Sequence, residues 1–375
     1  MPTSRIRCAL AMAAIAFTLY AQTLAFEFVY DDAVQILENP WIWDVRFFPN
    51  LLTEAVWSFK GSQASNYFRP VQMLIYFLDG VIFGREAWAF HLTNIAIHAL
   101  TAGLAYLLFS QLTTKGRAFA AGLLFSAHPA HVESVAWSAG STDVNCAPLL
   151  LAGLLAWRGA QQEPRGRRRH LLLAAAGALY FLALLAKETA VVLPLLALML
   201  PAPSEAAPGA RRRMALVAAL VFAIPLVVYA VMRYRAFGGA AGLIRYPDWS
   251  SLQVMAAGLS LIPRYVAVAF FPVRLVPDRV FDPPAGLADP LSLCGATILF
   301  GAMAAAMKLR RHTPVVSFGA ALLLLPITPV LDVQLLGRNA QADRYLYIPS
   351  LGACLLIAEL AGALTVRLRM ARPQR

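Results

Sequence analysis

The chain has 375 residues, of which 59% are hydrophobic and only 14% charged, whereas soluble globular domains carry about a quarter charged residues. That deficit excludes the string of soluble domains that the length alone would allow. The net charge of +12 does not signal nucleic acid either. Of the 32 Lys and Arg, 19 lie in short connectors at 5–7, 115–117, 158–169, 201–213, 308–311 and 367–375, with neither interleaved aromatics nor one continuous basic face.

Apolar runs recur at 6–26, 88–112, 118–137, 144–157, 170–186, 189–200, 214–232, 252–271, 291–307, 315–331 and 345–366. A span needs about 20 mostly apolar residues, and in lipid such a run must be helical to satisfy its own backbone. The expectation is an all-α polytopic bundle of about 10–11 spans, one integral membrane domain over 1–375. Arg5 and Arg7 before an apolar run resemble a secretory signal, but the acidic segment that follows needs anchoring at the surface, so 6–26 reads as an uncleaved first span. The basic connectors hold only two acids, Glu163 and Glu205, and read as inside loops; 367–375 is a short basic inside tail.

The outside then receives 27–69, 128–143, 187–188, 233–251 and 332–344. The alternation fails once, between 251 and 308. Pro263, Pro272, Pro277, Pro283 and Pro284 suggest that 252–271 is broken, and re-entrant or interfacial. Segment 68–84 is too short to cross twice. Cys8, Cys146, Cys294 and Cys354 are far apart without any CxxC, and read as small core hydrophobes.

Polar chemistry concentrates at span ends on the outside. The first loop reads FEFVYDDAVQILENPWIW. Asp31 and Asp32 are adjacent, so they cannot share a face: one can act as a general base while the other binds a partner group, or both belong to a solvated acidic turn or cap. His128, His131 and Glu133 form HPAHVE, a polar helix end in which the HxE pair is a weak metal signature. Asp143 faces the same side. Lys187–Glu188 is either an interfacial charge pair or, through Lys187, a phosphate contact. Arg69 and Arg344 are anchors singly, and an anion site if they converge.

FVYDD, FRPVQM, HLTNIAIH, LFSAHPAHVESVAW with AGSTD, LAKETAVVLP and DRYLYIPSLG occur in this order from Phe26 to Gly352. Together they resemble the membrane portion of the O-mannosyltransferases that carry tetratricopeptide repeats, and more broadly GT-C glycosyltransferases that use polyprenyl-phosphate sugars. The resemblance implies a GT-C-like fold with short helices in the first outside loop, and a polyprenyl-phosphate monosaccharide donor bound from the membrane. It implies Asp31 as the base, Asp32 assisting, and inversion at the anomeric carbon. Arg69, Lys187, Arg344 and His131 are then candidates to meet the leaving phosphate, and His128, Glu133, Asp143 and Glu188 to line the substrate site. Neither a nucleotide nor an obligatory metal is implied; a divalent ion is left open. The acceptor is a protein, lipid or glycan hydroxyl, and no repeat domain is expected after 366. The location implied is a bacterial-type inner membrane with the site facing outside. The aromatic first loop, Trp41, Trp43, Phe47, Phe48 and Trp57, is expected to cover the site with a surface helix around 49–60. The competing expectation is a transporter or flippase of a lipid-linked or small solute, which would show paired repeats; a non-catalytic scaffold is the third.

Overall fold

A computed structural model describes residues 3–61, 65–201, 210–239, 242, 246–277, 279–336 and 340–370, and every regular element among them is helical. Apart from short helices and turns between 33 and 60 and at a few later connectors, these are, in chain order, α1 (Thr3–Tyr20, prolonged by a 3-10 turn Ala21–Ala25), α2 (Pro70–Phe83), α3 (Ala87–Phe109), α4 (Lys115–Ser126), α5 (Val132–Ala136), α6 (Thr142–Gln162), α7 (Arg167–Ala186), α8 (Leu193–Met199), α9 (Ala210–Ala236), α10 (Ser251–Phe270), α11 (Pro290–Leu309), α12 (Pro314–Leu324) and α13 (Pro349–Met370). Proline at the first position opens α2, α11 and α12, where a missing N–H costs nothing. Ser250 and Gln253 close a capping box on α10.

Seven of the described helices are long and apolar enough to cross a membrane: Thr3–Ala25, Ala87–Phe109, Arg167–Ala186, Arg213–Ala236, Ser251–Phe270, Pro290–Leu309 and Pro349–Leu368. The all-α polytopic class is as expected, with differences in detail. The run 118–137 is not one span: α4 ends at Ser126, and a 3-10 turn Pro129–His131 and α5 follow, because Pro129 cannot continue the helix. The stretch 49–60 is not one helix either, but Phe48–Thr53 and a 3-10 turn Ser58–Lys60. With 14 residues, α2 is about 21 Å long, short of the roughly 30 Å core. Of the basic connector 201–213 and the tail 367–375, residues 202–209 and 371–375 lie outside the described residues.

The core of the bundle is built around Trp157, Tyr180 and Phe222, with α6 and α7 as an antiparallel pair. Gly352 of α13 lies where a methyl group would meet the backbone of Gly319 and Leu323 on α12, so small residues set this crossing. At one end, buried Arg158 donates to the carbonyls of Gln111, at 3.0 Å, and Pro201, while Arg117 pairs with Glu359 at 2.8 Å. The connectors at 111–117 and 158 and the start of that at 201 thus gather at a single end.

The opposite end carries the candidate site, and α10 runs across it. Ser292, in the first turn of α11, donates to Ala256 O at 2.9 Å; Tyr265 donates to Ala340 O at 3.3 Å; His128 donates to Ala269 O at 3.0 Å; and Gly258 lies against the Leu331 backbone. All four partners belong to this end, from residue 256 to 269 of the helix. Pro263 sits inside α10 without breaking it, which corrects the expected break.

Candidate functional site

The first span delivers its acidic pair through a strained turn. Tyr30 has φ 50°, a left-handed conformation that costs a bulky residue energy and persists only when neighbours enforce it. The enforcement comes from Asp32, which is completely buried. Its Oδ2 accepts from Val29 N at 3.0 Å and its Oδ1 from Ala139 N at 2.6 Å. Burial pushes its carboxyl up to about 6, against the lowering effect of those N–H donors. Asp31 points the other way: it is exposed. The adjacent pair therefore splits into an inward clamp and an outward carboxylate.

The clamp holds the strap 137–141 between α5 and α6. Tyr76 of α2 donates to Ser138 O at 2.8 Å, and Gln72 to Ala139 O at 3.4 Å. Beyond the strap lie three ion pairs. Arg69 meets Glu188 at 3.0 Å. Lys187, at the end of α7, meets Asp143, in the first turn of α6, with both side chains 2% exposed. Arg344 binds Glu133 through its guanidinium, and its backbone N donates to Glu133 Oε2 at 2.8 Å. Burial raises the Glu133 carboxyl, and Arg344 offsets part of that.

Aromatic rings tie the pairs together. Tyr345 carries Lys187 Nζ and Arg344 Cζ, each 4.9 Å from its ring centre. Arg69 lies over Tyr67 at 4.3 Å, and Arg344 over Trp137 at 5.3 Å. Trp137 in turn meets the edge of Tyr30, ring centres 6.1 Å apart. Arg233 of α9 donates to Asn66 O at 3.2 Å, close enough to Glu188 to lower its carboxyl's affinity for protons together with Arg69 and Lys187.

The structure thus gathers Asp31, Asp32, Arg69, Glu133, Asp143, Lys187, Glu188 and Arg344 at one end. It does not bring His128 and His131 into the ion-pair network. His131 contacts Ser350 Oγ at 2.8 Å and packs against His98, His128, Phe125 and Tyr347; His98 meets Tyr347 OH at 2.7 Å. Burial holds His131 far below the usual imidazole range, so it is neutral packing at pH 7. Lys187, expected to reach a phosphate, is committed to Asp143. Among the described residues no three His, Cys, Asp or Glu are grouped to hold a metal ion. A cavity of about 400 Å³ between α10 and the 331–334 segment, lined by Val254, Met255, Leu331, Asp332 and Gln334, contains none of these groups.

Reading the sequence missed Trp137, Tyr345, Tyr30, Tyr67 and Arg233. Trp137, Tyr345 and Tyr30 stood inside quoted motifs, but nothing in their spacing marked them, because an aromatic at a span end is ordinarily an interfacial anchor.

Residues 70–233 match the family profile described as dolichyl-phosphate-mannose-protein mannosyltransferase. That segment contains Glu133, Asp143, Lys187 and Glu188 but neither aspartate of the first loop. Protein O-mannosyl-transferase Tmtc1 of Drosophila melanogaster is 35% identical over 195 residues, covering 49% of this chain and 21% of its own. Protein O-mannosyl-transferase TMTC2 of Homo sapiens is 35% identical over 158 residues, covering 40% of this chain and 18% of its own. The chain spans about a fifth of the length of these curated relatives. Among solved structures, ArnT from Cupriavidus metallidurans bound to undecaprenyl phosphate aligns with 99% of this chain and 64% of its own, at a TM-score of 0.48 and 15% identity. The oligosaccharyltransferase AglB from Archaeoglobus fulgidus, in complex with an inhibitory peptide and a dolichol-phosphate, gives 0.46 and 13%, covering 100% of this chain and 52% of its own.

Proposed function

We propose that this chain is a membrane glycosyltransferase that moves a mannose from a polyprenyl-phosphate donor to a hydroxyl acceptor, with inversion, at the outer face of an inner (plasma) membrane. The observation that carries the reading is the division of labour in the acidic pair, with Asp32 buried in backbone N–H donors and Asp31 turned outward. The similarity of 70–233 to the mannosyltransferase profile supports the same reaction class.

In this mechanism the acceptor O–H gives its proton to the Asp31 carboxylate as its oxygen bonds to the anomeric carbon. The bond from that carbon to the phosphate oxygen breaks, and polyprenyl phosphate leaves with the electron pair. A hydroxyl is a weak nucleophile near neutral pH, so a positioned base is needed. Arg69 and Arg344, partly exposed at 13% and 16% of their side chains, meet the charge that develops on the phosphate. Asp32 positions Asp31 through the turn at Tyr30. Lys187 and Asp143 hold α6 and α7 together beneath the site. The acceptor is a protein, lipid or glycan hydroxyl.

The test is transfer of labelled mannose from a polyprenyl-phosphate donor by purified membranes, wild type beside Asp31→Asn. Transfer by the wild type and none by the variant supports reaction and base together. Full activity in Asp31→Asn overturns the base; no transfer by the wild type from any polyprenyl-phosphate sugar overturns the reaction class.

A further inference from the structure

We infer that Trp137 is the platform on which the transferred sugar rests, and that its indole N–H recognises one of the sugar's hydroxyls; the inference rests on the transferase reading above. In a displacement with inversion the acceptor oxygen, the anomeric carbon and the leaving oxygen lie in a row. The sugar ring must therefore sit between the base and the cations that receive the phosphate. Trp137 is the residue that spans this interval. It meets both Tyr30, the neighbour of Asp31, with ring centres 6.1 Å apart, and Arg344 Cζ at 5.3 Å.

Two further observations point to a ligand. The indole Nε1 is shielded from solvent and has no hydrogen-bond partner, whereas a buried indole N–H ordinarily finds one. An acceptor supplied by the substrate would satisfy it. The indole is also fixed in place: a Cβ on Gly140 would come within 2.5 Å of its Cε3 and 3.0 Å of Glu133 O, so glycine at 140 leaves the room the ring occupies. A rigid aromatic with one unclaimed donor suits a pyranose, which offers an apolar C–H face and hydroxyls at its rim. Tyr30, whose ring meets the indole, is itself 76% exposed.

The experiment compares binding of polyprenyl-phosphate mannose and of bare polyprenyl phosphate to the purified full-length protein in detergent. Wild type, Trp137→Phe and Trp137→Leu are measured side by side. The wild type is expected to prefer the sugar-bearing lipid. Trp137→Phe keeps the ring and loses the N–H, and should reduce that preference about tenfold; Trp137→Leu should abolish it. Affinity for bare polyprenyl phosphate should stay within about threefold, which also shows that the variants are folded. Unchanged preference in both variants, equal weakening of both lipids, or a wild type without preference overturns the platform. A wild type that prefers the sugar-bearing lipid and loses that preference in the variants, yet transfers nothing, sustains the platform and removes the transferase reading.

Discussion

Replacing Asp32 by asparagine should separate stability from function, and the size of each effect follows from its surroundings. The carboxyl moves from 3.8 to about 6 on folding, chiefly through burial. Each tenfold change is worth about 1.4 kcal/mol, so the ionised group costs the folded state roughly 3 kcal/mol at neutral pH. The folded value lies above the unfolded one, so the folded state binds the proton more tightly. The contribution of this group to stability is therefore greatest below pH 4 and is lost as pH rises through 6. The asparagine carries no charge and removes that cost. It keeps one oxygen for Ala139 N but presents N–H toward Val29 N, leaving an unpaired donor at about 1–3 kcal/mol. The two effects nearly cancel at pH 7.5. In thermal unfolding in detergent, the melting temperature of Asp32→Asn relative to the wild type should rise as pH goes from 4.5 to 7.5. Mannose transfer at pH 7.5 should drop about tenfold as the turn at Tyr30, which places Asp31, loses its Val29 N anchor. A variant that keeps the wild-type pH slope, or that loses more than about 4 kcal/mol at pH 7.5, would refute the buried, ionised clamp.

Other perturbations test the rest of the site. Asp31→Asn should abolish transfer while leaving the melting temperature unchanged, since its carboxylate is exposed; a large thermal shift would give Asp31 a structural role instead. Lys187→Met strands Asp143 in the interior and should cost about 3–5 kcal/mol, most of it recovered in Lys187→Met/Asp143→Leu; a double variant as unstable as the single one contradicts the pairing. Arg344→Gln should lower kcat/KM for the lipid-linked sugar by a hundredfold or more, as loss of a transition-state charge contact does, and Arg344→Lys should rescue it poorly. Gly352→Ala should destabilise the α12–α13 crossing by about 1–3 kcal/mol, measured as a lower melting temperature, because the added methyl meets backbone on the facing helix.

Membrane class, helical content and most spans were legible because they follow from one property, hydropathy over long windows, which local sequence carries in full. The collection of polar residues at the end opposite the basic connectors was legible for a similar reason: charge asymmetry fixes which connectors share a side. What stayed hidden depends on contacts between distant segments. Asp31 and Asp32 are equivalent on paper; Val29 N and, 107 residues away, Ala139 N separate them. Lys187 looked available for a phosphate because Asp143, 44 residues earlier, carries no local sign of being its partner. His131 read as a site residue from its motif, but Ser350 and Tyr347 claim it. Pro263 suggested a broken helix; α10 runs through it without interruption, with partners along its length.

The three cations nearest the strap each already own a carboxylate: Arg69 has Glu188, Lys187 has Asp143, and Arg344 has Glu133. An anion arriving at any of these three meets a charge that is already paired. Its affinity is the difference between the contact it makes and the one it displaces, so weakly charged anions gain nothing by entering. A group that departed would leave each guanidinium facing its resident carboxylate. On the proposed reading, occupancy at this end is an exchange reaction, and the resident acids set the threshold for joining it.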